Sequence, residues 1–323
     1  MKKSSVWMLV CALTLALGGC NKTSDTTPSS QSNTAMTVPT GPQASFENKD
    51  DKNRKELERF KHVVVVIEEN HAFNEVIGNP NMPYVNGLAQ AGALMTDSHG
   101  VTHPSEPNYF ALFSGSDQGV AADPCNWTVS GPNLASELMA KNKSFAIYSE
   151  DLPAQGDTSC TFTPAALLAS SGDPAAGYRV KHNPYEFWQV EGLLPPEGNK
   201  TFAQFPKGDF DDLPTVSFVV PDQWHDEHDG TDVLCDQWLQ QNMSVYNVWA
   251  KTHNSIMIVT WDENDFIAAS NQVATIITGA EVIPGQYNQT INHYNVLRTL
   301  EDMYRLVPTN NAATADPIHG VFR

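Results

Sequence analysis

The sequence predicts an α/β domain in which helices on both faces sandwich a mostly parallel sheet. Continuous β-branched runs such as residues 62–67 (HVVVVI) are typical of strands buried on both faces. Helical segments alternate with these runs, and such alternation indicates parallel strands joined by helical crossovers. At 323 residues the chain is long enough to bury a large core and build a deep active site.

Five apolar segments of strand length follow one another along the chain. They are residues 62–67, 144–148, 215–220, 255–260 and 273–278. Each is rich in Val, Ile, Phe or Thr, which pack well on a pleated surface. Pro221 ends the third segment because proline has no N–H to donate to a sheet.

Helical patterns occupy the stretches between and around these strands. They are residues 56–61, 84–91, 108–113, 133–141, 236–251 and 293–306. The last is amphipathic and closes the domain. The third follows Pro104 and Pro107, which stiffen the chain before the helix starts.

Residues 1–20 have the organisation of a lipoprotein signal peptide. Lys2 and Lys3 precede an apolar segment over residues 6–17, which is too short for an ordinary transmembrane helix. The run from Leu17 to Cys20 (LGGC) resembles the lipobox of bacterial lipoproteins, in which the cysteine becomes the acylated N-terminus. The alternative is a plain signal peptide with an incidental cysteine. The lipobox predicts a lipid-anchored protein of the bacterial cell envelope.

Residues 21–53 are rich in Ser, Thr, Pro, Gln and Asn and contain few large apolar side chains. Such a segment cannot offset the entropy of ordering, so we predict a disordered tether. The catalytic domain then covers residues 54–323.

Charge and composition exclude two classes of protein. Nineteen Lys and Arg oppose 37 Asp and Glu, a net charge of −18, whereas a nonspecific nucleic-acid binder needs a basic face. A hydrophobic content of 41% excludes a disordered protein. If the substrate is an anion, a local positive charge such as a metal ion must oppose the global field.

Three cysteines remain in the predicted catalytic domain. Export to an oxidising compartment favours one disulfide and one free thiol. Cys125 and Cys160 both lie in loop-like sequence and are the preferred pair. Cys235 opens a helical pattern, which suits a buried free cysteine.

Acidic side chains follow three of the predicted strands directly. They are Glu68, Glu69, Asp222, Asp262 and Glu263. The carboxyl ends of parallel strands meet at one edge of the sheet, where open α/β sheets place their ligand sites. A single acid at such a position is more often a helix cap. Several together repel one another unless a cation holds them, so the pattern predicts a divalent metal site.

A loop rich in His and Pro connects these strand ends in sequence. Within it, Ser105 lies near the N-terminus of the predicted helix 108–113. Free N–H groups and the helix dipole favour an anion there. Ser105 is therefore either a helix cap or a nucleophile that attacks an anionic group, and the two roles are compatible. Thr102 is the alternative hydroxyl if the loop register differs.

These motifs resemble the phosphoesterase family of acid phosphatases and phospholipases C, within the alkaline-phosphatase-like superfamily. The resemblance covers residues 60–306 and is carried by six motifs in order. They begin at residues 66 (VIEEN), 102 (THPSEPN), 181 (KHNP), 221 (PDQWHDEHD), 260 (TWDE) and 293 (HYNVLRTLED). The sequence departs from the family pattern at Cys235 and at residues 264–266, where glycine is expected.

The resemblance implies a metal-assisted mechanism with a serine nucleophile. Ser105 would attack phosphorus and form a phosphoserine that water hydrolyses. The implied metal ligands are Glu69, Asn70, Asp262 and Glu263. Oxygen ligands suit Mg²⁺, Mn²⁺ or Ca²⁺, with Zn²⁺ as an alternative. The implied substrate-binding residues are His103, Asn108, His182 and His225.

The number of metals stays open in the sequence. Asp222, His228 and His293 could form the second site known in the wider superfamily. With one metal, His228 and His293 instead act in catalysis as cations that bind phosphate and protonate the leaving alcohol. Charged histidines work best below pH about 6.5, which agrees with an acid phosphatase and favours one metal.

The sequence therefore predicts a metal-dependent acid phosphatase of the compact type, acting on phosphate monoesters. The alternatives are a phospholipase C-type diesterase and a non-catalytic surface lipoprotein with the same fold. The expected partners are a phosphorylated small-molecule or lipid substrate and, through the anchor, a membrane. We expect no nucleic-acid partner and a monomeric chain.

Overall fold

A computed structural model describes residues 60–160, 177–267 and 270–323. The predicted signal peptide with Cys20, the tether and residues 56–59 of the first predicted helix lie outside the described residues. Phe60 and Lys61 are described and are not helical, because the chain already leads into the first strand there. None of the described helices is both long and apolar enough to cross a bilayer.

Nine strands of the described residues form one sheet. They are β1 (His62–Glu68), β2 (Ala93–His99), β3 (Phe145–Ser149), β4 (Asn199–Thr201), β5 (Val216–Val220), β6 (Ser255–Trp261), β7 (Gln272–Gly279), β8 (Gly285–Tyr287) and β9 (Ile291–Asn292). Their order is β4-β3-β5-β1-β6-β7-β2-β8, and β9 pairs with β2. β7 runs antiparallel to β6 and β2, and the other pairs are parallel. The predicted mostly parallel sheet is confirmed.

Seven α-helices pack around the sheet in the described chain. They are α1 (Phe73–Val76), α2 (Pro83–Ala91), α3 (Ser105–Ser114), α4 (Leu134–Ala140), α5 (Pro184–Val190), α6 (Asp232–Ala250) and α7 (His293–Met303). Helix α6 begins four residues before its predicted start, because the Thr231 side chain caps it by accepting a hydrogen bond from the N–H of Leu234. The pattern of apolar residues alone did not reveal this cap.

Two apolar cores lie on opposite faces of the sheet. Alternate side chains of β1 enter each core, because successive residues of a strand point to opposite faces. Val63 and Val65 pack in the core that contains α3 and α7, whereas Val64 packs with α2 and α6. All of β1 is buried, and each buried valine contributes about 1.5 kcal/mol or more from apolar burial.

Two differences from the predicted strands have simple causes. Strand β2 was not predicted, because its second half, from Thr96 to His99, is polar. Strand β7 reverses direction relative to β6. Only ten residues separate Trp261 from Gln272, too few for the crossover that a parallel neighbour requires.

The predicted cysteine pairing is present in the structure. A disulfide joins Cys125 to Cys160. Cys235 is a free thiol, fully buried in α6. The disulfide links the loop between α3 and α4 to the segment that follows β3.

The parallel strands β1, β2, β3, β5 and β6 all end at one edge of the sheet. Backbone hydrogen bonds hold the chain together just beyond that edge. The N–H of Asp262 donates to the Glu68 carbonyl at 3.0 Å, and the N–H of Glu69 donates to the Asp226 carbonyl at 2.7 Å. The predicted acidic residues therefore meet at this edge.

Candidate active site

Ser105 is the first residue of α3 and is only 1% exposed. The turn before it, residues 101–104, is held by the side chain of Asn108. The Asn108 amide oxygen accepts from the N–H groups of Val101 (2.8 Å) and Thr102 (3.1 Å). Its NH₂ group donates to the carbonyls of Thr102 (2.9 Å) and Pro104 (3.1 Å). These bonds use the whole amide, so in this structure Asn108 holds the loop before Ser105 and has no group left for phosphate.

The Ser105 hydroxyl lies between two carboxylates and one ammonium group. Its Oγ is 3.0 Å from Glu69 Oε2 and 3.2 Å from Glu263 Oε1. Lys181 Nζ donates to the same Oγ at 3.3 Å. Proton acceptors and a cation therefore surround a hydroxyl at a helix N-terminus, an arrangement that suits activation of the serine.

Four acidic side chains are buried together around this hydroxyl. They are Glu69, Asp226, Asp262 and Glu263, each at most 1% exposed. Burial and the charges of Glu69 and Glu263 raise the pKa of Asp262 well above its usual range. Burial, with the charge of Glu69, raises the pKa of Glu263 to about 8. Without a cation this cluster is electrostatically unfavourable.

The unpaired oxygens of the cluster fit a metal ion. Neither carboxylate oxygen of Asp262 has a hydrogen-bond donor among the described residues, and Asp226 Oδ2 has none of good geometry. Buried charges without partners are rare because they cost several kcal/mol. Oxygen donors of this kind are the usual ligands of hard divalent cations. Glu69, Asp262 and Glu263 would hold such an ion beside Ser105, and Asn70 lies half-buried next to Glu69.

His182 lies inside the same cluster and is fully buried. Its Nε2 is 3.1 Å from Glu69 Oε1, and its Nδ1 is 3.4 Å from Asp226 Oδ2. The ring stacks on Tyr109, whose hydroxyl donates to Glu69 at 2.6 Å. Potential ligand atoms of Glu69, His182 and Asp226 lie within 4.8 Å of one another, so this trio could also hold an ion.

His103 and His228 lie at the more open side of the site. Nδ1 of His103 contacts the Glu263 carboxylate, and its ring stacks on Phe266. His228 Nε2 is 3.4 Å from Lys181 Nζ, while its Nδ1 is 3.0 Å from Asp229. Both imidazoles are about one-quarter to one-third exposed, so a substrate can contact them.

The three residues of the expected second metal site are not brought together. Nε2 of His293 donates to the backbone carbonyl of Asp262 at 2.5 Å. Asp222 accepts from the N–H groups of Trp224 and His225, both at 2.9 Å. His228 contacts Lys181 and Asp229, as described above. Each of the three side chains therefore has its own partner in this structure. Burial lowers the pKa of His293 to about 4, which opposes the cationic role expected of it with one metal.

His225 lies outside the Ser105 cluster, in a separate group with Asp222 and Glu150. Its Nδ1 is 2.9 Å from Glu150 Oε2 and 3.0 Å from Asp222 Oδ1. Burial alone would lower the pKa of His225, but the hydrogen bonds and charges of Asp222 and Glu150 raise it to about 10. His225 is therefore a protonated ion-pair partner and makes no contact with Ser105 or its carboxylates.

The structure places at the site three residues to which the sequence assigned no role. Lys181 and Asp226 lie within the motifs that begin at residues 181 and 221, and Tyr109 lies in the predicted helix 108–113. Burial opposes the charge of Lys181, yet the carboxylates of Glu69 and Asp123 raise its pKa and keep it protonated. A lysine beside a histidine in an otherwise acidic chain was the available signal, since an anionic substrate needs a local cation.

The fold and the site together define a class of protein. A protein of the alkaline phosphatase superfamily from Vibrio parahaemolyticus has a similar fold, with a TM-score of 0.50 and 13% identity over 81% of this chain and 71% of that one. A sulfatase from a Pseudoalteromonas species gives a TM-score of 0.51 at 12% identity over 83% of this chain and 73% of that one. The chain has the alkaline-phosphatase-like fold that the sequence predicted.

Sequence comparison then gives the family. The profile of the phosphoesterase family matches residues 79–307. A phosphatidylinositol-3-phosphatase from Mycobacterium tuberculosis is 43% identical, over 82% of this chain and 84% of that protein. A probable acid phosphatase from Kluyveromyces lactis is 27% identical over 75% of this chain, which spans 58% of that protein's length. The chain belongs to the phosphoesterase family and is a hydrolase that acts on phosphoric ester bonds.

Proposed function

We propose that this protein is a metal-dependent acid phosphatase that hydrolyses phosphate monoesters through a phosphoserine at Ser105. The observation that carries the proposal is the position of the Ser105 hydroxyl, within 3.3 Å of Glu69, Glu263 and Lys181 at the start of α3. The names of the fungal relatives support the acid phosphatase assignment.

The residues around Ser105 divide the chemistry among them. A divalent ion such as Mg²⁺, Mn²⁺ or Ca²⁺, held by Glu69, Asp262 and Glu263, would lower the pKa of the Ser105 hydroxyl and neutralise charge on the phosphate. Ser105 Oγ gives its proton to the carboxylate of Glu69 or Glu263 and attacks phosphorus in line. The alkoxide of the substrate is the leaving group, and Ser105 becomes the phosphate ester.

Lys181 binds the substrate phosphate, and His228 exchanges a proton with the leaving alcohol. Lys181 Nζ, 3.3 Å from Ser105 Oγ, lies where it can bind an oxygen of the transferring phosphoryl group. His228 Nε2 lies 3.4 Å from that ammonium group. Once Lys181 contacts phosphate, this nitrogen is free to exchange a proton with the leaving alcohol and later with the attacking water.

We further propose that the substrate phosphate belongs to a lipid headgroup. The Mycobacterium tuberculosis relative is named for a phosphoinositide. In this chain Phe266 and Ile267 are 57% and 87% exposed, and Phe266 stacks on His103 at the rim of the site. Exposed apolar side chains beside a polar site suit a phosphate ester at a membrane surface. The lipobox resemblance at Cys20 supports a membrane-anchored location in the cell envelope, where such a lipid substrate would lie.

The phosphoserine is tested by trapping it. The enzyme is quenched in acid during turnover of a ³²P-labelled phosphomonoester, and the labelled peptide is mapped. We expect label on Ser105 and a loss of about 10³-fold or more in kcat for Ser105→Ala. Thr102→Ala is the matched control and should retain the label, because the Thr102 hydroxyl points to the His103 carbonyl. Label on Thr102, or an active Ser105→Ala enzyme, contradicts the proposal.

A further inference from the structure

A second cluster of potential ligands lies behind the active site. It consists of His71, Glu227 and Asp232, whose ligand atoms lie within 4.8 Å of one another. We call it the rear cluster. Trp261, which donates to Glu227 Oε2 at 2.9 Å, packs in the core of α2 and α6. Tyr109 and α3 belong to the core on the other face of the sheet. The rear cluster is thus separate from the carboxylates around Ser105.

Two buried oxygens next to this cluster lack a partner. Glu227 is 1% exposed, and its Oε1 has no hydrogen-bond donor among the described residues. Glu68 is fully buried, its Oε1 is likewise without a donor, and its Oε2 accepts only the weak thiol donor of Cys235 at 3.6 Å. A buried carboxylate oxygen without a donor is costly. These unpaired oxygens indicate that a positive charge belongs at the rear cluster.

A trio of the same composition elsewhere in the fold shows the contrast. Glu150, Asp222 and His225 also lie within 4.8 Å of one another. There, however, the Trp238 indole donates to Glu150 Oε1, and the His225 imidazole lies within hydrogen-bond distance of both Glu150 Oε2 and Asp222 Oδ1. A cation of the chain thus already contacts both carboxylates of that trio. In the rear cluster His71 Nδ1 is 4.0 Å from Glu227 Oε2, too far for a hydrogen bond, and lies 3.3 Å from the Glu69 carbonyl instead. Asn79 donates to Asp232 at 2.7 Å, so Glu227 Oε1 is the buried oxygen of the rear cluster that lacks a donor among the described residues.

We propose that the rear cluster binds a second divalent cation, of the Mn²⁺ or Zn²⁺ type, through an imidazole nitrogen of His71, a Glu227 carboxylate oxygen and an Asp232 carboxylate oxygen. One imidazole nitrogen and two carboxylates form a mixed donor set that suits these ions better than Mg²⁺. Ligands lie about 2.0–2.2 Å from such an ion, so a modest inward movement of His71 and Asp232 completes the site. Both side chains are only half-buried, which permits the movement.

The ion would order the loops that build the active site. His71 follows Glu69 and Asn70 at the end of β1, Glu227 lies between Asp226 and His228, and Asp232 begins α6. One ion would therefore join three segments that position the catalytic groups without contacting substrate. This role is structural and does not depend on the proposed function.

The test counts metal ions and locates them. Metal-free protein is loaded with Mn²⁺, freed of excess ion and analysed by elemental mass spectrometry, with circular dichroism to confirm folding. We expect two ions per chain in the wild type and one in His71→Asn and in Asp232→Asn. The matched control, His225→Asn in the other trio, should keep two. Asp262→Asn should keep one, because it empties the active-site cluster and leaves the rear cluster intact.

Anomalous diffraction at the manganese edge gives a second measurement on unaltered protein. We expect a peak in bonding contact with an imidazole nitrogen of His71. The rear site is overturned if the wild type binds one ion and this ion is lost in Asp262→Asn but kept in His71→Asn. An anomalous map with no peak beside His71 also overturns it. A single ion that is lost only in His71→Asn supports the rear site and contradicts the metal part of the proposed function, so the two failures are distinguishable.

Discussion

Lys181 is the one described lysine that contacts the Ser105 hydroxyl, and its charge is opposed by burial. It remains protonated because Glu69, Asp123, Asp262 and Asp226 surround it with negative charge. In the substrate complex the phosphate adds to that negative charge. Lys181 balances the acidic cluster in this structure, and in the proposed mechanism the same ammonium group would bind the phosphoryl group.

We predict that Lys181→Met lowers kcat/KM for a phosphomonoester by about 10²–10³-fold. Methionine fills similar space but removes the cation beside the developing charge. Steady-state kinetics measure the loss, and Lys207→Met, at an exposed lysine, is the control expected to match wild type. A change of less than tenfold would remove Lys181 from the catalytic groups.

His225 predicts a pH-dependent contribution to stability. Its pKa is raised from 6.5 to about 10 in the folded chain by Asp222 and Glu150, against the effect of burial. Below pH about 6.5 the imidazole is charged in both the folded and the unfolded chain, so the ion pair contributes in full. The contribution falls as pH rises and is lost above pH about 10.

His225→Asn should therefore destabilise the protein most at pH 6 and least at pH 10. Urea unfolding of wild type and variant at pH 6, 8 and 10 measures the difference in the free energy of unfolding. His319→Gln, at an exposed histidine, should show no such trend. A difference that stays constant or grows with pH would mean that His225 is not the charged partner.

The residues at strand ends could be located from sequence, whereas the residues that contact them from the side could not. Glu69, Asp262 and Glu263 follow apolar runs, and the end of a buried strand fixes their place in three dimensions. Asn108 and His293 fall in equally clear motifs, but their roles depend on which atoms they contact. Asn108 bonds to its own loop, and His293 to a backbone carbonyl. Sequence spacing carries no information on that choice.

At the scale of elements, the connection between β6 and β7 has two functions. It reverses the chain, so that β7 is antiparallel, and it places Phe266 against His103, with the exposed Ile267 next in the chain. Phe266 has φ +64°, and its N–H donates to the Asn264 side chain at 3.0 Å. The connection thus presents an apolar ring at the rim of the candidate site.

We predict that Ile267→Ser lowers the ratio of activity on a phosphomonoester lipid in vesicles to activity on a soluble phosphomonoester by about tenfold. Inserting one isoleucine into lipid is worth about 1.5–3 kcal/mol, which serine forfeits. Val248→Ser, at another exposed apolar position on α6, is the control for a general loss of surface hydrophobicity. Equal ratios in both variants and wild type would contradict the lipid-substrate proposal.

The strands and helices that could be predicted from the sequence are those with long apolar runs. Strands β1, β5 and β6 are buried throughout, and their sequence shows it. The short strands β4, β8 and β9 have two or three residues each and are set by tertiary pairing. Helix α5 is short and begins at a proline, so its periodicity could not be separated from the surrounding loop.

At the scale of the whole molecule, a net charge of −18 opposes an anionic substrate. Lys181 and the proposed metal act locally, but the approach of substrate occurs in the field of the entire chain. We predict that kcat/KM for a phosphomonoester rises as ionic strength increases from 0.01 to 0.15 M, because salt screens the repulsion. Kinetics with a monoanionic and a dianionic substrate measure the effect, which should be larger for the dianion. If kcat/KM falls with added salt for both substrates, the local positive charge of the site, and not the net charge of the chain, dominates the approach of the substrate.

The unbroken valine run of β1 has a consequence for folding. Four identical residues, Val63 to Val66, lie between two parallel neighbours, and Ile67 and two glutamates follow them. A slip of one residue would exchange valine for valine at the centre of both cores and would place Glu68 where Glu69 now meets Ser105. The valine run by itself thus does little to oppose misregistration. The same slip would move His62, bonded to the Pro214 carbonyl at 3.0 Å, into the core position of Val63, and Ile67 into the position of Glu68, so the residues at the two ends of the run favour the native register. We expect early refolding intermediates of this protein to include compact, inactive chains in which β1 is shifted by one residue from its native register.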